Sequence, residues 1–151
     1  LYAVAEAEDL YREALEAARA LGSARTATLA ASGLAELAAH RGDFPQALQW
    51  SDEASEYLQR LEAAAGTLLP EVPAAVRLIR ARLLGRLGRT SEALPILRQA
   101  LAAVQHATEP GALRERVRCR IEEAHLLREL GLLEEGAASA QLALEEAEGL
   151  G

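Results

Sequence analysis

A chain of 151 residues with a formal net charge of −7 is sized for one ordinary domain, and folding at that length removes roughly 70% of the unfolded chain's surface from water. Half of the residues are apolar, mostly Ala and Leu, alongside one Trp, three Tyr, one Phe and no Met. This composition excludes a disulfide scaffold, because Cys119 stands alone; it excludes a transmembrane helix, because no apolar run approaches roughly 18 residues; and it disfavours strands, because Ala, Leu, Glu and Arg are strong helix formers. The first 20 residues carry Glu6, Glu8, Asp9, Glu13 and Glu16 where a signal peptide needs an apolar core. A cytoplasmic location is expected, and the absence of any Met leads us to expect a fragment of a larger protein.

Hydrophobic spacing predicts seven helices, at 3–21, 24–41, 44–64, 72–87, 90–106, 111–130 and 133–148. The first is read as the second helix of a pair, a half-unit over 1–21 marked by Ala7, Tyr11 and Ala14. Three full units follow at 24–64, 72–106 and 111–148, all within one helical repeat domain. Each unit turns at a glycine followed five positions later by a small residue: Gly42 and Ala47, Gly88 and Ala93, Gly131 and Gly136. Seven positions before each glycine stands Ala35, Ala81 or Ala124, and four before it stands Ala38, Leu84 or Leu127. Small residues at these places let two antiparallel helices approach closely, and glycine takes the left-handed conformation that ends the first of them. Asp43 and Thr90 are predicted to cap the following helices, whereas the third unit has no capping residue. Gly22-Ser23, Gly66 to Val72 and Ala107 to Gly111 are predicted linkers, with Pro70, Pro73 and Pro110 near them; Pro95 falls inside a helix and removes one of its hydrogen bonds.

Charge is distributed in blocks. Residues 73–128 hold 11 Arg against 5 acids, whereas residues 129–151 hold 6 acids and no Arg. The basic block is either a solvated face or an anion-binding surface, and its acidic flanks offer a route to self-association. Nucleic acid is not expected as a partner, since the block has no aromatic residue on which a base could stack. Trp50 and Tyr57 lie seven apart on one helix and are expected to pack half-buried against the next repeat.

These turns and crossings resemble the tetratricopeptide repeat family, best matched over residues 34–54. The turn glycines Gly42, Gly88 and Gly131 are 46 and 43 residues apart, longer than the 34-residue period of the common repeat. The long period is similar to that of sensor arrays in bacterial transcription activators of the maltose-regulon type. The resemblance implies an all-α solenoid of antiparallel helix pairs, wound as a right-handed superhelix, whose first helices line a concave binding face. By register that face includes Glu36, His40, Leu78, Arg82, Arg86, Ile121, His125 and Arg128. Arg80 and Glu123 depart from the family pattern, standing where it buries a leucine.

No catalytic constellation or metal site is predicted. Cys119 and His125 are six residues apart on a helix, off any shared face, and Cys119 reads as a small buried hydrophobe. No cofactor is implied. The expected role is a non-enzymatic scaffold for a protein or peptide, acidic partners included, inside a larger bacterial transcriptional regulator. The alternative is an effector receptor that encloses a small molecule or signalling peptide. An enclosed pocket at Leu78, Ile79, Arg82, Ile121 and His125 would favour the receptor, and an open groove the scaffold.

Overall fold

The computed structural model describes residues 2–64 and 68–150, which form seven helices joined by turns and contain no strand. They are α1 (Tyr2–Leu21), α2 (Ala24–His40), α3 (Phe44–Ala63), α4 (Glu71–Arg86), α5 (Thr90–Val104), α6 (Pro110–Glu129) and α7 (Leu133–Glu148). Every predicted helix end among the described residues lies within two residues of the observed one. Gly66, placed in a linker from the sequence, lies outside the described residues, as do Leu1 and Gly151. The chain divides into two compact units, Leu1–Leu68 with α1–α3 and Leu69–Gly151 with α4–α7.

One turn geometry recurs in both units. Gly22, Gly42, Gly88 and Gly131 have φ of +68°, +78°, +73° and +79°. After each, the next amide reaches back five residues: Ser23 to the Ala18 carbonyl at 2.9 Å, Asp43 to Ala38 at 3.0 Å, Arg89 to Leu84 at 2.8 Å and Leu132 to Leu127 at 2.9 Å. This is the Schellman arrangement, which satisfies carbonyls at a helix end and needs a residue without Cβ strain at positive φ. The α1–α2 connection, read from the sequence as a linker between pairs, is thus the same turn as those within pairs.

Helix starts are less uniform. Ser23 accepts from the Thr26 amide and Asp43 from the Gln46 amide, whereas α5 and α7 begin without a side-chain cap. Thr90 does not cap α5, as the sequence suggested: Arg89 occupies the cap position, and the Thr90 hydroxyl instead donates to Glu129 of α6 at 3.1 Å. Pro73 and Pro110 sit in first turns, where a missing amide costs little. Pro95 lies inside α5, as predicted.

In the first unit α2 packs against both α1 and α3. Leu15, Ala18, Ala27, Ala30 and Leu34 form a buried cluster, and Trp50 and Tyr57 lean on it from α3. The two aromatics therefore pack backward onto α1 and α2. Glu8 is buried on α1 and pairs with Arg12 and with Arg41 at the end of α2.

In the second unit α4 packs against α5 and α6, and α6 also packs against α5 and α7. The crossings are made of small residues: Ala81, Ala93 and Ala100 have no exposed surface. A Cβ on Gly85 would stand 2.9 Å from Leu126, and one on Gly136 would stand 3.1 Å from the Ala124 carbonyl. Arg116 of α6 donates to the carbonyls of Val104, Gln105 and Ala107 at 3.2, 3.1 and 3.3 Å, tying off the end of α5.

Because Ala47 and Ala93 are wholly buried at these crossings, Ala47→Leu or Ala93→Leu should each lower unfolding free energy by about 1–3 kcal/mol through overpacking. Urea denaturation measures this, and tolerance of both leucines would refute the crossing.

Candidate functional site

The sequence placed eight residues on a binding face. Glu36 and His40 belong to the first unit, Glu36 half-buried and His40 exposed at the end of α2. The other six belong to the second unit. Leu78 is 0% exposed, which corrects its assignment as a contact residue: α4 is held between α5 and α6, and this side chain is core. Arg82 is half-buried and its Nε donates to Glu122 of α6 at 3.0 Å, so its charge is spent between helices. Arg86 is exposed. Ile121, His125 and Arg128 come together on α6, where Ile121 is 56% exposed despite being a large aliphatic.

These three line an open groove of about 420 Å³ between α6 and α7, completed by Leu133, Ala137 and Ala140 of α7. Its wall is apolar apart from one end. There Arg128 lies 3.0 Å from His125 Nδ1, and His125 Nε2 lies 3.3 Å from Glu129. Arg128 brings a guanidinium, which can only donate, to this end of the groove.

The α7 side of the groove was not foreseen, because the resemblance assigned contact residues only to first helices. Its signal was present in the sequence. Leu133, Ala137, Ala140 and Leu144 follow helical spacing on one face, and Leu133 and Leu144 are 64% and 53% exposed.

The arginine-rich block is largely consumed within the fold. Arg82 pairs with Glu122, Arg89 with Glu92, Arg98 and Arg120 with Glu123, Arg116 with Glu146, and Arg118 with Glu115. Arg89 holds the Glu92 carboxyl below its ordinary pKa. In the first unit, hydrogen bonds to Glu53 and Tyr57 raise the pKa of Arg19 above its ordinary value, and Arg60 stacks over the Tyr57 ring at 5.3 Å.

Glu123, which stands where the family pattern has leucine, is 7% exposed. It accepts from Ser139 of α7 at 2.7 Å and from Arg120 at 3.3 Å, and lies 3.5 Å from Arg98 of α5. A charge in an apolar slot is tolerated only when paired and hydrogen-bonded, and here the pairing also joins three helices. The position is buried, with a polar clamp in place of apolar packing.

Cys119 is fully buried. Burial, reinforced by the nearby Glu115 carboxylate, pushes its thiol up to about 12, leaving almost no thiolate at neutral pH. Among the described residues no group of three or more His, Cys, Asp or Glu side chains is placed to hold a metal ion, and no helix is long and apolar enough to cross a membrane. No protein-family model and no curated protein matches the sequence.

Cys119 yields two outcomes. In the native state it should resist iodoacetamide at pH 8 and react once urea unfolds the chain, as mass spectrometry would record. Its ordinary pKa is 9.0 and its folded value about 12, so unfolding releases a proton across that interval. Stability from this group is fully present below pH 9 and is lost as pH rises toward 12. Cys119→Ala should flatten the alkaline fall in unfolding free energy; an unchanged slope would show that the thiol is not protected.

Proposed function

We propose that this chain is the interaction module of a larger bacterial transcriptional regulator, an α-solenoid of tetratricopeptide type wound as a right-handed superhelix, and that it recognises a protein or peptide. The observation that carries this reading is the open α6–α7 groove, walled by Ile121, Ala137 and Ala140 and polar at one end through Arg128. Open, shallow, largely apolar surfaces suit a polypeptide, whereas small-molecule sites bury most of the ligand in a concave pocket. The recurring Schellman turns and alanine crossings support the repeat architecture, because each helix pair is built by the same device.

The residues that would enclose an effector do not do so. Leu78 and Ile79 are buried in packing and Arg82 is paired with Glu122, while Ile121 and His125 face an open groove. The scaffold reading is therefore preferred over the receptor.

The test is mass spectrometry of what the intact protein retains when purified gently from its own cells, with an Arg86→Glu/Arg128→Glu variant purified in parallel. Both arginines are exposed but stand in the last turns of their helices, where each reversal costs about 0.3–1 kcal/mol, so the variant should stay folded and melt several degrees below the parent. A polypeptide retained by the parent and reduced at least tenfold in the variant is the expected result. A retained small molecule with no polypeptide would overturn the scaffold reading in favour of the effector receptor.

A further inference from the structure

In the first unit α1 and α3 both pack on α2, and side chains bridge the space between them. Arg19 of α1 donates through Nε to the Tyr57 hydroxyl at 3.2 Å and through Nη2 to Glu53. The Tyr57 hydroxyl donates to the same carboxylate at 3.0 Å. Two cavities adjoin this bridge and share Arg19, Tyr57 and Arg60 in their walls. The larger, about 390 Å³, is also lined by Asp52, Glu53 and Glu56, so its arginines face carboxylates.

The smaller cavity, about 200 Å³, has a different lining. Ala18 of α1 and Ala27 of α2, 3% and 1% exposed, give it an apolar floor. All three helices of the unit contribute to its walls, and its charged lining residues are Arg19 and Arg60 with no acid beside them. Two guanidinium groups on one small cavity repel each other unless an anionic group stands between them. Arg19 is balanced by Glu53, which lies outside this wall, and those bonds use its Nε and Nη2, leaving Nη1 to donate. Among the described residues Arg60 pairs with no carboxylate; its guanidinium stacks over the Tyr57 ring at 5.3 Å. Stacking orients the plane of the group and leaves its N–H edge available.

We infer that this cavity binds the oxyanion of a small molecule, a phosphate or carboxylate group held between the Arg19 and Arg60 guanidinium groups, with the rest of the ligand over Ala18 and Ala27. Guanidinium groups recognise such oxygens with paired, charge-assisted hydrogen bonds. The adjoining larger cavity restricts the choice. Its three carboxylates would oppose a second anionic group, so the ligand carries its anion at one end. The site lies wholly within the first unit and does not depend on the α6–α7 groove or on the reading of the chain as an interaction module.

The 15N-labelled chain titrated with sodium phosphate and, separately, with sodium acetate tests this, with neutral pH and ionic strength held constant by sodium chloride. Saturable shifts of the Ser23, Ala24 and Ala27 amides with at least one of the two anions are expected, and the tighter binder identifies the group. Arg60→Gln, at an exposed position, should weaken binding at least tenfold while the circular dichroism of the helices is kept. Arg60→Lys should retain part of the affinity. Arg25→Gln removes the same charge from an exposed residue outside the wall and should leave binding unchanged. The proposal is overturned by shifts that never saturate, by binding indifferent to Arg60→Gln, or by an equal loss with Arg25→Gln, which would show a general response to charge.

Discussion

The second unit depends on how closely two antiparallel helices can approach after a turn of three residues. Gly88 and Gly131 at positive φ reverse the chain, and the crossing that follows has room only for Ala81 with Ala93, or Ala124 with Gly136. Where a Cβ would meet a backbone carbonyl at 3.1 Å, as at Gly136, no larger side chain fits without moving a helix. The turn sets the pairing and the alanines set its depth. Packing at that depth leaves a shallow furrow along each pair, and the furrow on α4–α5 is where α6 lies.

Polar interactions then hold what the small residues bring near. Alanine buries little surface, at roughly 25 cal/mol per Å² of apolar area, so a core rich in alanine has less hydrophobic driving force per residue than one rich in leucine. Paired charges also link helices: Glu8 between α1 and α2, Arg82 with Glu122 between α4 and α6, and Glu123 at the meeting of α5, α6 and α7. Arg116 adds a different service by satisfying the last carbonyls of α5. Six arginines of this region are thereby drawn into internal pairs, while Arg86 and Arg128 are exposed.

Much of this was legible in the residues. Helical spacing and turn glycines located all seven helices, with α7 placed at both ends, because alanine-rich amphipathic segments bounded by glycine leave few competing conformations. What escaped was pairwise geometry. Leu78 and Ile121 share a register position and an aliphatic character, yet one is core and the other bare, since only the presence of α6 over α4 distinguishes them. Thr90 looked like a cap because of its place before a helix, and its hydroxyl went instead to Glu129, a partner 39 residues away. Glu123 looked like a departure from pattern because a sequence does not display Ser139, Arg98 and Arg120 converging on one carboxylate. Trp50 and Tyr57 were assigned the right burial, and their seat on α1 and α2 was not anticipated.

The central claim is that glycine turns and small crossing residues set how closely the helices of each pair approach. Its most direct test is urea denaturation of Gly136→Leu beside the parent chain, because a side chain there meets the Ala124 carbonyl. The account predicts a loss of about 1–3 kcal/mol in unfolding free energy through overpacking. An unchanged unfolding free energy would contradict it.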